Sequence, residues 1–245
     1  MLKNNPLISI ITIVYNDEVH IEKTLISVLN QTYTPIEYII IDGNSKDNTL
    51  NIIKTYSDRI SKIISEPDKG LYDAMNKGLK NATGDYVLFM NSGDTFYTNT
   101  TVNNVFKNFE NADIYYGDTQ IVNSKGIDLG HRRLRPPKAL NWKSFKQGML
   151  VCHQSIFIKR KLADLYNLKY KFSSDFDWVI KALKKSKKIK NTELIISKYL
   201  SEGITTNNRK KSLIERFKIM RLHYGFLSTI LYHIYFIFRI IKNKI

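Results

Sequence analysis

The chain of 245 residues is poor in the residues that build unusual scaffolds, with one cysteine, Cys152, five prolines and eleven glycines. A single cysteine excludes an intrachain disulfide and a cysteine-rich zinc site, so a reducing compartment is expected. The low proline and glycine content, beside 43% hydrophobic and 24% charged residues, excludes collagen-like and wholly disordered chains. The start, Met1 to Pro6, is short and polar and lacks a signal-peptide pattern. Nothing before residue 220 is long and apolar enough to span a bilayer. Acidic residues are also scarce, 22 against 38 Lys and Arg, for a net charge of +16. That imbalance is local. Residues 1–128 carry 11 basic and 16 acidic side chains, residues 129–208 carry 18 and 5, and residues 209–245 carry 9 and 1. An acidic half joined to a basic half and a basic tail suits anionic lipid headgroups or phosphorylated substrates as well as nucleic acid.

What is present has a regular rhythm. Leu7–Tyr15 is a β-branched apolar run that reads as a strand buried on both faces. His20–Gln31 has helical spacing, Glu37–Ile41 is a second buried strand, and Thr49–Ser57 a second helix. Ile60–Ser65 is a weaker strand, Gly70–Asn81 a helix, and Asp85–Met90 a fourth strand. Such alternation predicts right-handed βαβ units and a mostly parallel sheet with helices on its faces. Ligands then bind beyond the carboxyl ends of the strands. The polar clusters Tyr15-Asn16-Asp17, Asp42-Gly43-Asn44-Ser45 and Asn91-Ser92-Gly93-Asp94 all fall there. Later come strands at Ala112–Val122, Ser155–Ile158 and Ile195–Leu200, a basic loop at Leu134–Gln147 and a helix at Asp175–Lys185.

No G-x-G-x-x-G follows the first strand and no G-x-x-x-x-G-K-[ST] occurs, which excludes a dinucleotide Rossmann site and a P-loop. A carboxylate at the end of the second strand, Asp42, suits a ribose or uracil contact and equally a helix N-cap. Asp94, on a glycine-containing turn, suits Mg²⁺ or Mn²⁺, which take few carboxylates beside phosphate oxygens and water. It also suits plain turn chemistry.

SIITIVYND, IIIDGNSKDNT, EPDKGLYDAMNKGL and ATGDYVLFMNSGD, in this order and spacing, resemble the family 2 glycosyltransferases of GT-A fold. The bacterial polysaccharide-synthesis branch is the part of the family they resemble most. The likeness is close over about the first 95 residues. It continues through Cys152-His153-Gln154-Ser155 and Ser174-Asp175-Phe176-Asp177-Trp178 to about residue 207. The resemblance implies a GT-A fold over residues 1–208, about 1–95 forming the nucleotide-binding half and about 96–208 the acceptor half. Residues 209–245 would be a basic amphipathic helical tail.

On matching positions, Thr12, Tyr15, Asn16 and Glu18 would cradle the nucleoside, Asp42 would contact uracil or ribose, and Ser45 would support that loop. Asp68, Lys69, Gly70, Asp73 and Asn76 would line the donor diphosphate and sugar. Asn91 and Ser92 stand with Asp94 in the place of the family's D-x-D motif, of which Asp94 is the acidic residue retained. Mn²⁺ or Mg²⁺ is the implied cofactor, with Asp94 as ligand. Asp175 is the candidate catalytic base and Asp177 its rival. A carboxylate opposite the leaving diphosphate would deprotonate the acceptor hydroxyl as it attacks an oxocarbenium-like carbon. His153 reads either as a buried structural histidine or as a contact to donor phosphate or metal. Ser201–Asn207 would help close the donor site. Arg132, Arg133 and Arg135 form either a solvated loop or a surface for an anionic acceptor.

The expected activity is inverting transfer of a hexosyl or N-acetylhexosaminyl group from a UDP-linked donor. The acceptor would be a hydroxyl of a lipid-linked glycan in cell-surface polysaccharide synthesis. Transfer to a polyprenyl phosphate is the enzymatic alternative. The others are a basic nucleic-acid-binding module, which is disfavoured, and a catalytically silent scaffold. Residues 212–245 would lie in an anionic membrane surface, at the cytoplasmic face of the cell membrane. Packing of that tail on the domain, or on a second subunit of a homo-oligomer, is the competing reading. Leu222–Phe238, 17 residues without a formal charge, is at the short limit for a span.

Overall fold

In a computed structural model, residues 5–201 and 208–242 are described. The first half follows the expected rhythm: β1 (Ile8–Val14), α1 (Ile21–Leu29), β2 (Ile36–Asp42), α2 (Thr49–Lys54), β3 (Lys62–Ser65), α3 (Leu71–Asn81) and β4 (Tyr86–Phe89). The four strands pair in the order β3-β2-β1-β4, all parallel. β1 is central and every one of its seven residues is buried. Alternation along the strands divides the core between the two faces. Ile11, Ile13, Ile39 and Ile41 point to the face covered by α3, together with Met75 and Leu79. Ile8, Ile10, Val14, Tyr38 and Ile40 point to the other, against Ile21, Leu25 and Val28 of α1.

The second half widens this sheet to nine strands. It comprises β5 (Thr95–Phe96), α4 (Thr101–Phe106), β6 (Ile114–Val122), β7 (Asp128–His131), β8 (Ile156–Lys159), α5 (Ser174–Lys185) and β9 (Ile189–Leu200). The order continues β4-β8-β6-β9-β5, with β7 paired to β6. β8 runs antiparallel to both β4 and β6, while β9 is parallel to β6. The start of β8 therefore meets the carboxyl end of β4, and segments from both halves share one crevice. β9 begins six residues earlier than the sequence predicts. Its first half is polar, and Glu193 takes a positive φ of 57° where the register with β6 shifts. β5, β7 and α4 are short elements that periodicity does not announce. The basic loop holds a 3₁₀ turn, Trp142–Gln147, capped by Asn141.

The C-terminal segment forms two helices rather than one tail, α6 (Arg209–Tyr224) and α7 (Phe226–Lys242). Gly225, at φ 82°, ends the first, with its N–H bonded to the Arg221 carbonyl at 3.1 Å. Ile219 and Met220 of α6 are buried in the same core as Phe176 and Trp178 of α5. Packing on the domain, the competing reading of the sequence, is thus realised by α6. Among the described residues no helix is long and apolar enough to cross a membrane.

One close approach is testable. Gly78 of α3 crosses β1 so tightly that an added Cβ would stand 2.4 Å from Ile11 Cγ2. Ile11 is fully buried and β-branched, so its methyl has nowhere to turn. Gly78→Ala is expected to lose about 1–3 kcal/mol of stability in urea unfolding despite alanine's better helix propensity.

Candidate active site

The ends of β1 and β2 are laced together. Asn16 donates its N–H to Ser45 Oγ (2.8 Å), and Lys46 donates its own to Asn16 Oδ1 (2.8 Å). Glu18 accepts from the Asn48 N–H (2.8 Å). Asn16 and Asn44 both have positive φ, 48° and 64°, which asparagine tolerates at such turns. Asp42 is fully buried, and its carboxylate accepts from the Ser45 N–H and hydroxyl and from the Ser65 hydroxyl (2.6 Å). It holds the loop from within. Gly43 forms the floor between two side chains: a Cβ there would meet Asp68 Oδ2 at 2.9 Å and the Tyr15 ring at 3.2 Å. Tyr15 is 62% exposed, so Tyr15, Gly43 and Asp68 form an open cradle at the ends of β1 and β2. Gly43 is a site residue that the sequence expectation passed over, although it adjoins Asp42.

Asp68 is paired with Lys77 (2.6 Å), which also bonds the Pro67 carbonyl, and this ties the loop to α3. Asp73 accepts from the Lys69 N–H (2.9 Å), and Gly70, at φ 113°, opens the helix, leaving Lys69 and Gly70 exposed beside the cradle. Besides Asp42, whose buried carboxylate is taken up by Ser45 and Ser65, two of the expected donor-binding residues are turned inward. Thr12 is buried within β1 and bonds the Met90 carbonyl (2.7 Å) and the Tyr38 hydroxyl (2.9 Å). Asn76 is clipped to both backbone groups of Tyr166, at 3.0 and 2.7 Å. Each has its polar atoms matched inside the protein, so each braces the crevice and does not line it.

At the end of β4, Asp94 is only 4% exposed. It accepts from Gln154 Nε2 (2.7 Å) and from the Leu200 N–H (3.1 Å), at the start of β8 and the end of β9. Burial lifts its pKa to about 6 against the pull of these donors and of His153. Ser92 donates to Asp17 Oδ2 (2.6 Å), and Asp17 also meets His20 (2.6 Å), so the ends of β1 and β4 are joined. Asn91 sets its amide nitrogen 3.1 Å from His153 Nε2. Its Oδ1 is buried without a donor among the described residues. No three His, Cys, Asp or Glu side chains converge among the described residues. One buried carboxylate and one free amide oxygen still fit a hard cation that keeps its waters and shares a substrate's phosphates.

His153 does not stand free as a ligand. With Asn91 against Nε2, its ring hydrogen falls on Nδ1, which faces Asp175 Oδ2 at 3.5 Å. Tyr72 donates to the other oxygen of Asp175 at 3.1 Å. Burial would raise the Asp175 pKa, but His153, Arg216 and the Phe176 N–H outweigh it, and the carboxylate is held below its ordinary range. Asp175 is thus ionised at neutral pH and flanked by aromatic side chains, Tyr72 and Tyr166 stacking at 5.4 Å. The rival Asp177 faces the opposite way. It is 1% exposed and paired with His223 (2.6 Å) and Lys181 (2.7 Å), out of reach of a substrate. Of the arginine cluster, Arg135 pairs with Asp118 and Arg132 bonds the Met149 carbonyl (3.1 Å). The expected closing loop lies, from 202 to 207, outside the described residues.

Comparison with known proteins identifies the family. Residues 9–165 match the model of glycosyl transferase family 2. A PGL/p-HBAD biosynthesis glycosyltransferase of Mycobacterium bovis is 32% identical over 185 residues, 72% of this chain and 69% of that protein. An uncharacterized glycosyltransferase of Rickettsia typhi is 28% identical over 225 residues, 86% of this chain and 69% of its own length. Among solved structures, S. aureus TarS in complex with UDP-GlcNAc superposes with a TM-score of 0.72 at 21% identity, over 88% of this chain and 64% of that one. A mannosyltransferase from Pyrobaculum calidifontis, in complex with GDP-Man and Mn²⁺, gives 0.65 at 14% identity, over 94% and 74% of the two chains. The fold is that of the GT-A glycosyltransferases. The chain belongs to glycosyl transferase family 2.

Asp177→Asn is expected to cost about 3 kcal/mol in chemical unfolding at neutral pH, because a buried pair loses one charge. Asp177 is held below its ordinary pKa, so its contribution is present above the unfolded carboxylate range and is lost as pH falls through its folded value. The gap between wild type and variant should therefore close only at strongly acidic pH.

Proposed function

We propose that the chain transfers a hexosyl or N-acetylhexosaminyl group, with inversion, from a UDP-linked donor to a hydroxyl of a lipid-linked glycan in cell-surface polysaccharide synthesis. The observation that carries this reading is Asp175, held below its ordinary pKa and tied by Tyr72 to the helix that follows Asp68 and by His153 to Asn91 beyond the end of β4. The uridine donor is supported by the UDP-GlcNAc complex of TarS, and a biosynthetic role by the PGL/p-HBAD biosynthesis glycosyltransferase of Mycobacterium bovis.

In this reading Tyr15 stacks on the base, and the loop held by Asp42 and Ser45 seats the ribose. Lys69 and the amino end of α3 oppose the diphosphate charge. Mn²⁺ or Mg²⁺ would be held by Asp94 and Asn91 with the donor's phosphate oxygens, and would stabilise charge on the leaving diphosphate. Asp175 accepts the proton of the acceptor hydroxyl while its oxygen bonds to the anomeric carbon. The bond from that carbon to the diphosphate breaks, and UDP leaves with the electron pair. Tyr72 and His153 hold the two carboxylate oxygens in place. UDP release from a panel of UDP-sugars with Mn²⁺ should identify a donor. Asp175→Asn should lower its turnover by 10²–10⁴-fold or so while UDP still raises the Tm. Full turnover in that variant would remove Asp175 as the base.

The same reading places the protein on the cytoplasmic face of the membrane. Phe226, Leu227, Leu231, Ile234, Ile237 and Phe238 of α7 are exposed, Leu227 to 79%. The exposed side chains of Lys211, Lys218 and Arg221 on α6 complement an anionic headgroup layer. The wild type should sediment with phosphatidylglycerol vesicles and not with phosphatidylcholine vesicles. Leu227→Asp combined with Leu231→Asp should abolish that sedimentation.

A further inference from the structure

Helix α5 presents Asp175 from its first turn, yet its N-cap residue, Ser173, makes no side-chain capping bond. Another element satisfies the amides there. Glu215 of α6 accepts from the N–H groups of Lys171 (2.8 Å), Phe172 (2.8 Å) and Ser173 (3.0 Å). Ser212 Oγ meets Ser173 Oγ at 2.9 Å, and His223 binds Asp177, two residues past the base. Beside Glu215, the Arg216 guanidinium lies 5.9 Å from the ring centre of Phe176, the residue that follows the base. Ser212, Glu215, Arg216, Ile219, Met220 and His223 recur every three or four residues, so one face of α6 clamps α5. Arg216 lies in the tail expected to meet an anionic membrane surface, but it turns inward, and its charge reaches the Asp175 carboxylate.

We propose that α6 is a working part of the catalytic centre, in which Glu215 and Arg216 are positioning residues for Asp175. Glu215 fixes the turn from which the base projects. Arg216 sets the charge environment in which it accepts a proton. This rests on the reading of Asp175 as base. The other groups facing that carboxylate are His153 and Cys152 before β8, Tyr72 of α3, Tyr166 ahead of α5, and Tyr199 of β9. His153 is the nearest polar group, and Arg216 is the cation that comes from the C-terminal helices. A cation favours the ionised form, so its removal raises the pKa of the base. The acid limb of the rate profile then moves to higher pH.

The test uses the full chain, following kcat and KM for UDP release from the donor that the wild type turns over, across pH 4–8 or so. UDP affinity by calorimetry and Tm are measured on the same samples. Arg216→Gln is expected to shift the acid limb of kcat/KM upward by about half a pH unit or more, and Arg216→Lys to restore most of it. Glu215→Gln is expected to lower kcat about ten-fold, with KM and UDP affinity within about two-fold of wild type. An unmoved acid limb with unchanged kcat overturns the proposal. So does a fall of kcat, UDP affinity and Tm together, which marks general damage to the fold. A wild type that neither binds nor releases UDP overturns the transferase reading and this one with it. An active wild type beside unaltered variants overturns this one alone.

Discussion

The buried carboxylate of Asp94 is the joint on which the crevice depends. It sits where β4 ends, β8 begins and β9 ends, and it bonds a group from each of the latter two. Gln154 brings His153 with it, His153 reaches both Asn91 and Asp175, and Tyr72 closes the chain from α3. A nucleoside cradle made by β1 and β2 is thereby held in a fixed relation to a carboxylate that arrives more than a hundred residues later.

Two carboxylates in this network are driven in opposite directions. Asp94 is lifted to about 6 because burial outweighs its neutral hydrogen-bond donors. Asp175 is held low because the His153 hydrogen bond, the Arg216 charge and the Phe176 N–H outweigh burial. One network thus holds two carboxylates in different states, one desolvated and lifted, the other compensated and lowered.

Much of this was legible in the sequence because buried parallel strands announce themselves as β-branched runs and end in polar clusters. Tyr15, Asn16, Asp42, Asn91 and Asp94 could be placed at strand ends from spacing alone. What spacing does not give is the direction of a side chain. Thr12 sits in a strand where alternation sends it to the core, and Asn76 faces a loop ninety residues away that no local pattern reveals. Asp175 and Asp177 are two apart on a helix, about 200° around its axis, so one must face away from the site. Which one does was decided by His223, a partner invisible before the fold was known. The short β5 and β7 and the polar start of β9 carry too few apolar residues to show a period.

The C-terminal helices show why composition misleads most where it looks plainest. A basic, apolar segment reads as one amphipathic tail with charges outward and hydrophobes inward. Here α6 turns Ser212, Glu215, Arg216 and His223 toward the domain and leaves Leu213, Ile214 and Leu222 exposed. A docking face made of an acid, a base and a hydroxyl is directional. Each group bonds partners fixed in place on or just before α5, so α6 settles there in one register. The apolar residues that a conventional helix would bury are then displaced to the outside, where α7 adds its own. Inward polarity and outward hydrophobicity are therefore one feature. The helix that docks on α5 is, by the same sequence choice, a helix that leaves apolar side chains exposed.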